Sequence, residues 1–345
     1  MKSLTFKMCT MLLLIMGLAA CSSSNDTGAP AQEEKPDITV SSLLVPIGDV
    51  PVPEDNPMTE DVIELGKVLY FDHRLSGDNK QSCATCHIPG AGYGDNRETF
   101  VGHEGFEGPR NSPTVINAGY YTTNFWDGRA ASLEEQALGP IGSEVEMNQP
   151  IEELVDKLQA IDGYEELFQK TFGEPISLDT IAKAIAAFER TIVVKDTPYD
   201  RFLEGDKDAL SAQEIRGLDL FQGKAACVSC HQGENLSDNQ FHNIGLQGDE
   251  GRMAISGDAA DEGAFRTAGL YGITHTAPYM HDGRFATLEE VVDYYNHGGD
   301  ESTPNKSSFI FELNLTDEEK ADLVAFLKVL GGEPPIVTPP SLPGM

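Results

Sequence analysis

Two Cys-x-x-Cys-His motifs, at residues 83–87 and 227–231, carry the most specific chemistry in this sequence. In an exported protein this motif is the attachment signature of a c-type haem, and both thiols form thioethers to the porphyrin. The histidine that follows binds the iron from one side. Two covalently bound haems c therefore predict redox chemistry. The attachment cysteines are Cys83, Cys86, Cys227 and Cys230, and the iron-binding histidines are His87 and His231.

Two other uses of these cysteines are weaker. A thioredoxin-like Cys-x-x-Cys site needs a βαβ context, which the pattern lacks, and it does not require a histidine next in sequence. Zinc knuckles usually lie about 15–20 residues apart, whereas His87 and His231 are 144 positions apart. Haem attachment is the favoured interpretation.

The surroundings of the two motifs are repeated. Residues 127–135 (DGRAASLEE) recur as residues 282–290 (DGRFATLEE), and a Gly-x-x-Leu-aromatic run precedes each haem motif at 66–70 and 217–221. Paired spacing of this kind indicates two copies of one haem-binding unit. Helix starts are predicted at four capping boxes, which begin at Ser132, Ser211, Thr287 and Thr316.

The predicted fold class is mainly α, with two cytochrome c-like haem domains related by this internal repeat. Helical periodicity runs through 178–192 and 315–330, and strand-like alternation is scarce. We predict an N-terminal domain over 46–200 and a C-terminal domain over 201–331, each with one haem, followed by a Pro-rich tail over 332–345.

The N-terminus predicts export. Residues 1–20 have Lys2 and Lys7 before an apolar stretch that is too short to span a bilayer permanently. Residues 18–21 resemble the bacterial lipoprotein box, in which Cys21 would receive the lipid. Residues 21–45 are predicted to be a flexible tether. The expected location is the periplasmic side of a bacterial membrane, with the outer membrane favoured; a soluble secreted protein cut near Ala20 is the alternative.

The formal net charge of −32 argues against nucleic acid as a binding partner, because its phosphates would be repelled. Such a surface would steer a basic electron donor towards the protein. It would equally keep the protein soluble, and charge alone does not separate these roles.

The chain resembles the bacterial di-haem cytochrome c peroxidases, the superfamily that includes the methylamine-utilisation (MauG) enzymes. The resemblance includes residues 108–115 (GPRNSPTV) and 125–129 (FWDGR) and covers nearly all of the chain after the tether. It implies that the first haem reduces hydrogen peroxide. The second haem would collect electrons from a small c-type cytochrome or a cupredoxin. The habit of the family also implies a possible homodimer, although no interface can be identified in the sequence.

The resemblance assigns roles to residues around the first haem. His103, in a glycine-flanked loop, matches the displaceable ligand on the far side of the iron. Glu146 and Gln136 match the pair that handles peroxide, in which a carboxylate moves a proton and an amide orients the substrate. Trp126, the only tryptophan, matches a relay between the haems.

A calcium ion is implied in the same way. Asn111, Thr276 and Pro278 match the positions that hold an interdomain Ca²⁺ in the family, and their oxygen atoms are suitable hard ligands. The spacing of these residues alone does not indicate an ion.

The sequence departs from the peroxidases at the second haem. Tyr295 stands where the peroxidases have a methionine ligand. A tyrosine at this position resembles the MauG enzymes, which oxidise a protein substrate. Met280 is a nearby thioether and His297 a third candidate. Phenolate would stabilise ferric iron, whereas a thioether would favour ferrous iron. Three functions follow as alternatives: peroxide reduction, which is favoured, MauG-like oxidation of a protein or organic substrate, and electron transfer without catalysis.

Overall fold

The computed structural model describes residues 33–300 and 302–344, and the predicted signal peptide and Cys21 lie outside these ranges. The described chain is mainly helical, which confirms the predicted fold class. From residue 33 onwards the first half contains seven α-helices: α1 (Glu60–Phe71), α2 (Cys83–Cys86), α3 (Leu133–Gly142), α4 (Ile151–Gln159), α5 (Tyr164–Phe172), α6 (Leu178–Glu189) and α7 (Pro198–Leu203).

The second half contains four more helices and the two short strands of the described residues. The strands pair antiparallel with two residues each. No helix among the described residues is long and apolar enough to cross a membrane. The elements are α8 (Ala212–Gln222), α9 (Met253–Ser256), α10 (Leu288–Asn296) and α11 (Asp317–Val329), with β1 (Phe241–His242) and β2 (Phe265–Arg266).

Helix starts follow the predicted capping residues. The side chains of Ser211, Thr287 and Thr316 cap α8, α10 and α11 in reciprocal capping boxes with the glutamate three residues on. At α3 only half of the box forms, because Glu135 accepts from the backbone N–H of Ala131. Short-range hydrogen bonds of this kind can be predicted from the sequence because both partners lie within one helical turn.

The repeated Gly-x-x-Leu-aromatic run has a packing role in each half. A Cβ atom on Gly66 of α1 would lie 1.8 Å from the backbone oxygen of Ala184 in α6. A Cβ atom on Gly217 of α8 would lie 2.0 Å from the backbone oxygen of Asp322 in α11. Each glycine thus lets a helix before a haem motif approach a second helix at backbone contact. The two halves use the same crossing.

Replacing Gly217 with alanine is expected to lower the free energy of unfolding by about 3 kcal/mol, the upper end of overpacking costs, because neither backbone can retreat without opening the core. Denaturant unfolding of the haem-loaded protein measures the effect. Gly90→Ala is the control, since nothing lies within 4 Å of its Cβ position. Equal stability of the two variants would contradict the packing argument.

Hydrophobic residues form two core clusters. One runs from Leu44 to Leu330 and draws on both halves, whereas the other lies within the first half, from Leu65 to Ile185. Residues from Lys35 onwards form one compact unit. The domain boundary near residue 200 stays a prediction.

Segments near both ends of this unit pack against its larger core cluster. Ile38 and Val40, within the predicted tether, pack against the larger core, so packed chain begins before the predicted domain start at residue 46. Val337, in the predicted Pro-rich tail, packs against the same core. The two halves are also tied by polar contacts: Arg110 pairs with Asp249 at 2.7 Å, and Arg252 donates to the backbone oxygen of Asp127 at 2.9 Å.

Candidate haem sites and the cavity beside the first motif

The first haem motif forms its own short helix. α2 consists of Cys83–Cys86, and at its start the hydroxyl of Thr85 accepts a hydrogen bond from the backbone N–H of Ser82 at 2.9 Å. His87 ends the helix, with its backbone N–H bonded to the oxygen of Cys83 at 2.9 Å. This local geometry places both thiols and the imidazole on one wall of a cavity.

Both motif histidines are prepared to bind iron. The Nδ1–H of His87 donates to the backbone oxygen of Tyr93 at 3.2 Å, and that of His231 donates to the oxygen of Leu236 at 3.1 Å. Burial lowers the pKa of both imidazoles, which favours the neutral form. A neutral imidazole that donates through Nδ1 offers its Nε2 lone pair to a metal. The residues therefore fit a haem at each motif.

A cavity of about 910 Å³ lies beside the first motif. Its volume is at the upper end of the range for cofactor and ligand sites. Residues 248–250 and Arg266 of the second half contribute to its wall. The cavity brings together most of the residues predicted for the first haem: Cys83, Cys86, His87, Trp126, Gln136 and Glu146 all line it.

Unpaired polar atoms of lining residues give an independent test of the haem fit. Arg266 is 6% exposed and its Nε finds no partner, and the Nδ2 of the buried Asn124 is equally unpaired. Buried donors without acceptors are costly, so each of these groups needs a partner that the protein does not supply. The propionate groups of a haem are negatively charged and accept hydrogen bonds, so they are suitable partners for both donors. Sequence reasoning missed both residues, because nothing near them in the chain marks them.

Glu146 is the acid–base candidate of this cavity. It follows α3, where its backbone N–H bonds to the oxygen of Ser143 at 3.1 Å. Desolvation raises the pKa of its carboxyl, while Arg129 and a hydrogen bond from Ser143 oppose the rise. A carboxyl whose pKa lies closer to neutrality both accepts and returns a proton more readily.

Gln136 reaches the same cavity from α3. Leu133, Gln136, Ala137 and Pro140 all line it, which is the spacing of one helix face. Within the described chain the side-chain amide of Gln136 has no hydrogen-bond partner, so both its donor and its acceptor are available to a ligand.

Trp126 connects the two halves. Its indole Nε1–H donates to the backbone oxygen of Asn111 at 2.9 Å, and its own backbone oxygen accepts from Arg266 at 2.9 Å. The preceding Phe125 has a φ of +66°, a region that bulky residues rarely adopt, and Arg129 lies 3.5 Å from its ring centroid. The segment is therefore held from several sides beside the cavity.

The structure does not bring His103 to the cavity. Its Nδ1 lies 3.7 Å from the carboxylate of Asp78, and its backbone N–H donates to the oxygen of Val145 at 3.1 Å. The neighbouring Gly102 lines the cavity, but the imidazole does not. Glu104 and Gly105 have φ values of +52° and +81°, so the loop is tightly turned here. Iron binding by His103 stays a prediction that requires this loop to move.

Tyr295, Met280 and His297 are the three ligand candidates for the second iron, and Tyr295 packs against the same core cluster as Cys227. Desolvation raises the pKa of its phenol, and the nearby thiols of Cys227 and Cys230 add to the rise. His297 is exposed and donates its Nδ1–H to the oxygen of Asp293 at 2.6 Å. Met280 has a φ of +76° in a turn closed by Gly283. Which of the three residues binds the second iron stays a prediction.

The calcium residues do not share one cavity. Asn111 lines the first cavity and commits its amide N–H to the oxygen of Arg97, which leaves its Oδ1 free. The hydroxyl of Thr276 donates to the oxygen of Ile273. Pro278 lines a second cavity of about 550 Å³ with Asn96 and Glu98. The calcium ion stays a prediction.

Two further groups near the haem motifs were missed by sequence reasoning. Glu189 of α6 is buried and lines the first cavity, and burial raises the pKa of its carboxyl to about 8. Cys230, Asp238 and His242 form the only described cluster of possible metal ligands. Because Cys230 is expected to be bound to haem, this cluster is better explained as an Asp238–His242 pair beside the second porphyrin.

Comparisons with known proteins agree with this arrangement. The family model for di-haem cytochrome c peroxidase matches residues 60–208, and that for cytochrome c matches residues 215–331. The methylamine utilization protein MauG of Methylorubrum extorquens is 42% identical over 300 residues, which cover 85% of each chain. The cytochrome c551 peroxidase of Pseudomonas aeruginosa is 40% identical over 312 residues, 85% of this chain and 87% of the relative.

Among solved structures, a MauG-like protein associated with microbial copper homeostasis superposes with a TM-score of 0.77 at 37% identity. The superposition covers 82% of this chain and 93% of that one. Two haem-attachment units, each matched by a family model, define a di-haem c-type oxidoreductase. The chain belongs to the di-haem cytochrome c peroxidase family and is a peroxidase-type enzyme that carries two c-type haems.

Proposed function

We propose that this enzyme reduces hydrogen peroxide to water at the first haem, with electrons delivered through the second. The observation that carries the proposal is the composition of one cavity, where the attachment residues of α2 share the space with Glu146 and Gln136. An electron carrier without catalysis has no need of an acid–base group there. When bound, the haem would supply an iron that coordinates a peroxide oxygen and accepts electrons singly.

The residues of this chain would handle the protons. Glu146, in its ionised form, takes the proton from the inner peroxide oxygen and returns it to the outer one, which leaves as water. The amide of Gln136 orients the peroxide without adding charge. Hydrogen peroxide, two protons and two electrons give two water molecules, so the balance requires two electrons from outside.

We assign the electron supply to a small c-type cytochrome or cupredoxin in the periplasm. The net charge of −32 suits a basic donor. Electrons would pass from the second haem by way of Trp126, whose backbone and indole contact both halves. A lipid anchor at Cys21, the interdomain calcium and a homodimer belong to this proposal as expectations of the sequence.

A second candidate function rests on Tyr295. Its position beside the second attachment cysteines, together with 42% identity to a MauG protein, favours oxidation of a protein or organic substrate. In this alternative, the same cavity would activate peroxide. The oxidising equivalents would then oxidise the substrate by way of the second haem, instead of being reduced by electrons from a donor.

Steady-state consumption of hydrogen peroxide by the haem-loaded protein, with a reduced small c-type cytochrome, tests the proposal. Turnover with two cytochromes oxidised per peroxide supports it. The half-reduced protein should also change its optical spectrum on addition of cyanide. A spectrum that neither cyanide nor peroxide alters would contradict the assignment.

His103→Ala is expected to open the first haem in the fully oxidised protein. If His103 occupies the iron in that state, its removal should raise peroxide binding to the oxidised protein by at least ~10-fold, because the competent fraction rises. Electron spin resonance of the oxidised protein would report the lost ligand. His73→Ala, which removes an exposed imidazole, is the control. Identical spectra of wild type and His103→Ala would remove His103 from the mechanism.

A further inference from the structure

The two proximal histidines are held by the same device. In each half the acceptor of the imidazole N–H is the backbone oxygen of a residue five or six positions on, Tyr93 for His87 and Leu236 for His231. Both acceptors are fully buried, and both have a left-handed backbone, with φ of +56° and +50°. The repeat therefore extends to the support behind each imidazole.

A left-handed backbone is strained for residues of this size. Such a conformation is energetically costly and persists only where surrounding contacts fix it. At Tyr93 the backbone N–H bonds to Ile88 at 3.0 Å, and its oxygen also accepts from Val115 at 3.2 Å. These bonds hold the peptide, but the side chain provides one more.

The Tyr93 hydroxyl is anchored by the C-terminal segment. It donates to the backbone oxygen of Pro335 at 2.7 Å, whereas Leu236 has no hydroxyl and no such anchor. The segment itself is fixed on either side of this contact: the oxygen of Gly332 accepts from His275 at 2.9 Å, and that of Pro343 accepts from Arg74 at 3.0 Å. Residues 332–344 thus cross from the end of α11 to the region behind the first haem motif.

We propose that this C-terminal segment positions the proximal ligand of the first haem, with Tyr93 as the connecting residue. The Pro335 contact fixes the Tyr93 ring, the ring fixes the strained peptide, and the peptide oxygen fixes the orientation and basicity of His87. A hydrogen bond donated by Nδ1–H raises the basicity of a ligating imidazole. The proline content suits this role, because a chain with few accessible conformations loses little entropy when it is ordered. The inference rests on His87 as the proximal ligand.

The asymmetry gives an internal control within one molecule. Tyr93→Phe removes one hydroxyl and should loosen the peptide behind His87. A less basic imidazole stabilises ferric iron less, so the reduction potential of the first haem should rise. We expect its reduction equilibrium to change by roughly tenfold, which corresponds to ~59 mV for one electron. The second haem should keep its potential.

Spectroelectrochemical titration of the haem-loaded protein resolves the two potentials, and resonance Raman spectra of the reduced protein should show a lower iron–histidine stretching frequency for the first haem. Tyr120→Phe is the matched control, because its hydroxyl also donates to a backbone oxygen, that of Gly48 at 2.7 Å, in a contact that includes neither Tyr93 nor residues 332–344. Equal shifts at both haems, or an unchanged first potential in Tyr93→Phe, would overturn the proposal. Neither result depends on peroxide turnover.

Truncation tests the segment separately, should Tyr93→Phe not accumulate with haem. A chain that ends at Gly332 lacks the Pro335 anchor and should show the same rise in the first potential. Adding the peptide 333–344 in excess should reverse it. A chain that ends at Ser341 keeps Pro335 but lacks the Pro343 contact, and its potential should match the wild type. A wild-type potential in the chain that ends at Gly332 would exclude the segment.

Discussion

Replacing Glu146 with glutamine is expected to lower peroxide turnover by about 10²–10⁴-fold while both haems stay attached. Glutamine keeps the size and a hydrogen-bonding oxygen but cannot carry a proton between the two peroxide oxygens. The cavity should therefore still bind peroxide and cyanide. Steady-state turnover with a reduced cytochrome, together with cyanide titration of the half-reduced protein, separates lost chemistry from lost binding.

The pH dependence gives this prediction a second signature. The carboxylate must be ionised to accept the first proton, and desolvation raises its pKa. The value of kcat/KM should therefore increase as the pH rises through this pKa. In Glu146→Gln this increase with pH should be absent. Glu144→Gln, which removes a neighbouring exposed carboxylate, is the control and should retain both the rate and the increase with pH. Wild-type turnover in Glu146→Gln would remove Glu146 from the mechanism.

Tyr295→Met should raise the reduction potential of the second haem by on the order of 100 mV or more, since axial ligands alone can move haem potentials over several hundred millivolts. A phenolate stabilises ferric iron, whereas a thioether favours the ferrous state. Redox titration followed at the second haem measures the shift. The potential of the first haem should change far less.

Two further variants show whether the shift is specific to Tyr295. Tyr294→Phe is the matched control, because the hydroxyl of Tyr294 already donates to the backbone oxygen of Ile244 at 2.9 Å. Met280→Leu tests the competing ligand. A shift in Met280→Leu with none in Tyr295→Met would assign the thioether to the iron.

The two residues that divide the family chemistries coexist in this chain. His103 is the feature expected of a peroxidase with a displaceable ligand, and Tyr295 is the feature expected of a MauG-like enzyme. The structure holds His103 beside Asp78, away from the cavity, and Tyr295 beside the second attachment cysteines. In both proposed functions the path of the oxidising equivalents would depend on the second haem, whose potential we expect Tyr295 to set. Measured potentials would decide between the two functions more directly than further comparison of sequences.

Local motifs made much of this protein legible in sequence. The haem attachments, the internal repeat and three complete capping boxes all depend on residues within a few positions of one another. The half-formed box at α3 shows the limit of such predictions, because the Glu135 carboxylate accepts from the backbone N–H of Ala131 instead of that of Ser132. Short spacing restricts geometry strongly enough for such predictions.

The sequence by itself determined two covalent haems, a mainly helical fold in two related halves, and a glycine before each motif. Only the tertiary structure decided that Arg266 reaches the first cavity from the other half, that His103 stands away from it, and that Pro335 anchors Tyr93 across 242 positions. The physical reason is that these contacts join segments whose separation in the chain carries no geometric signal. How the helices pack decides which groups meet, and an acceptor such as the backbone oxygen of Pro335 is one that any residue type presents.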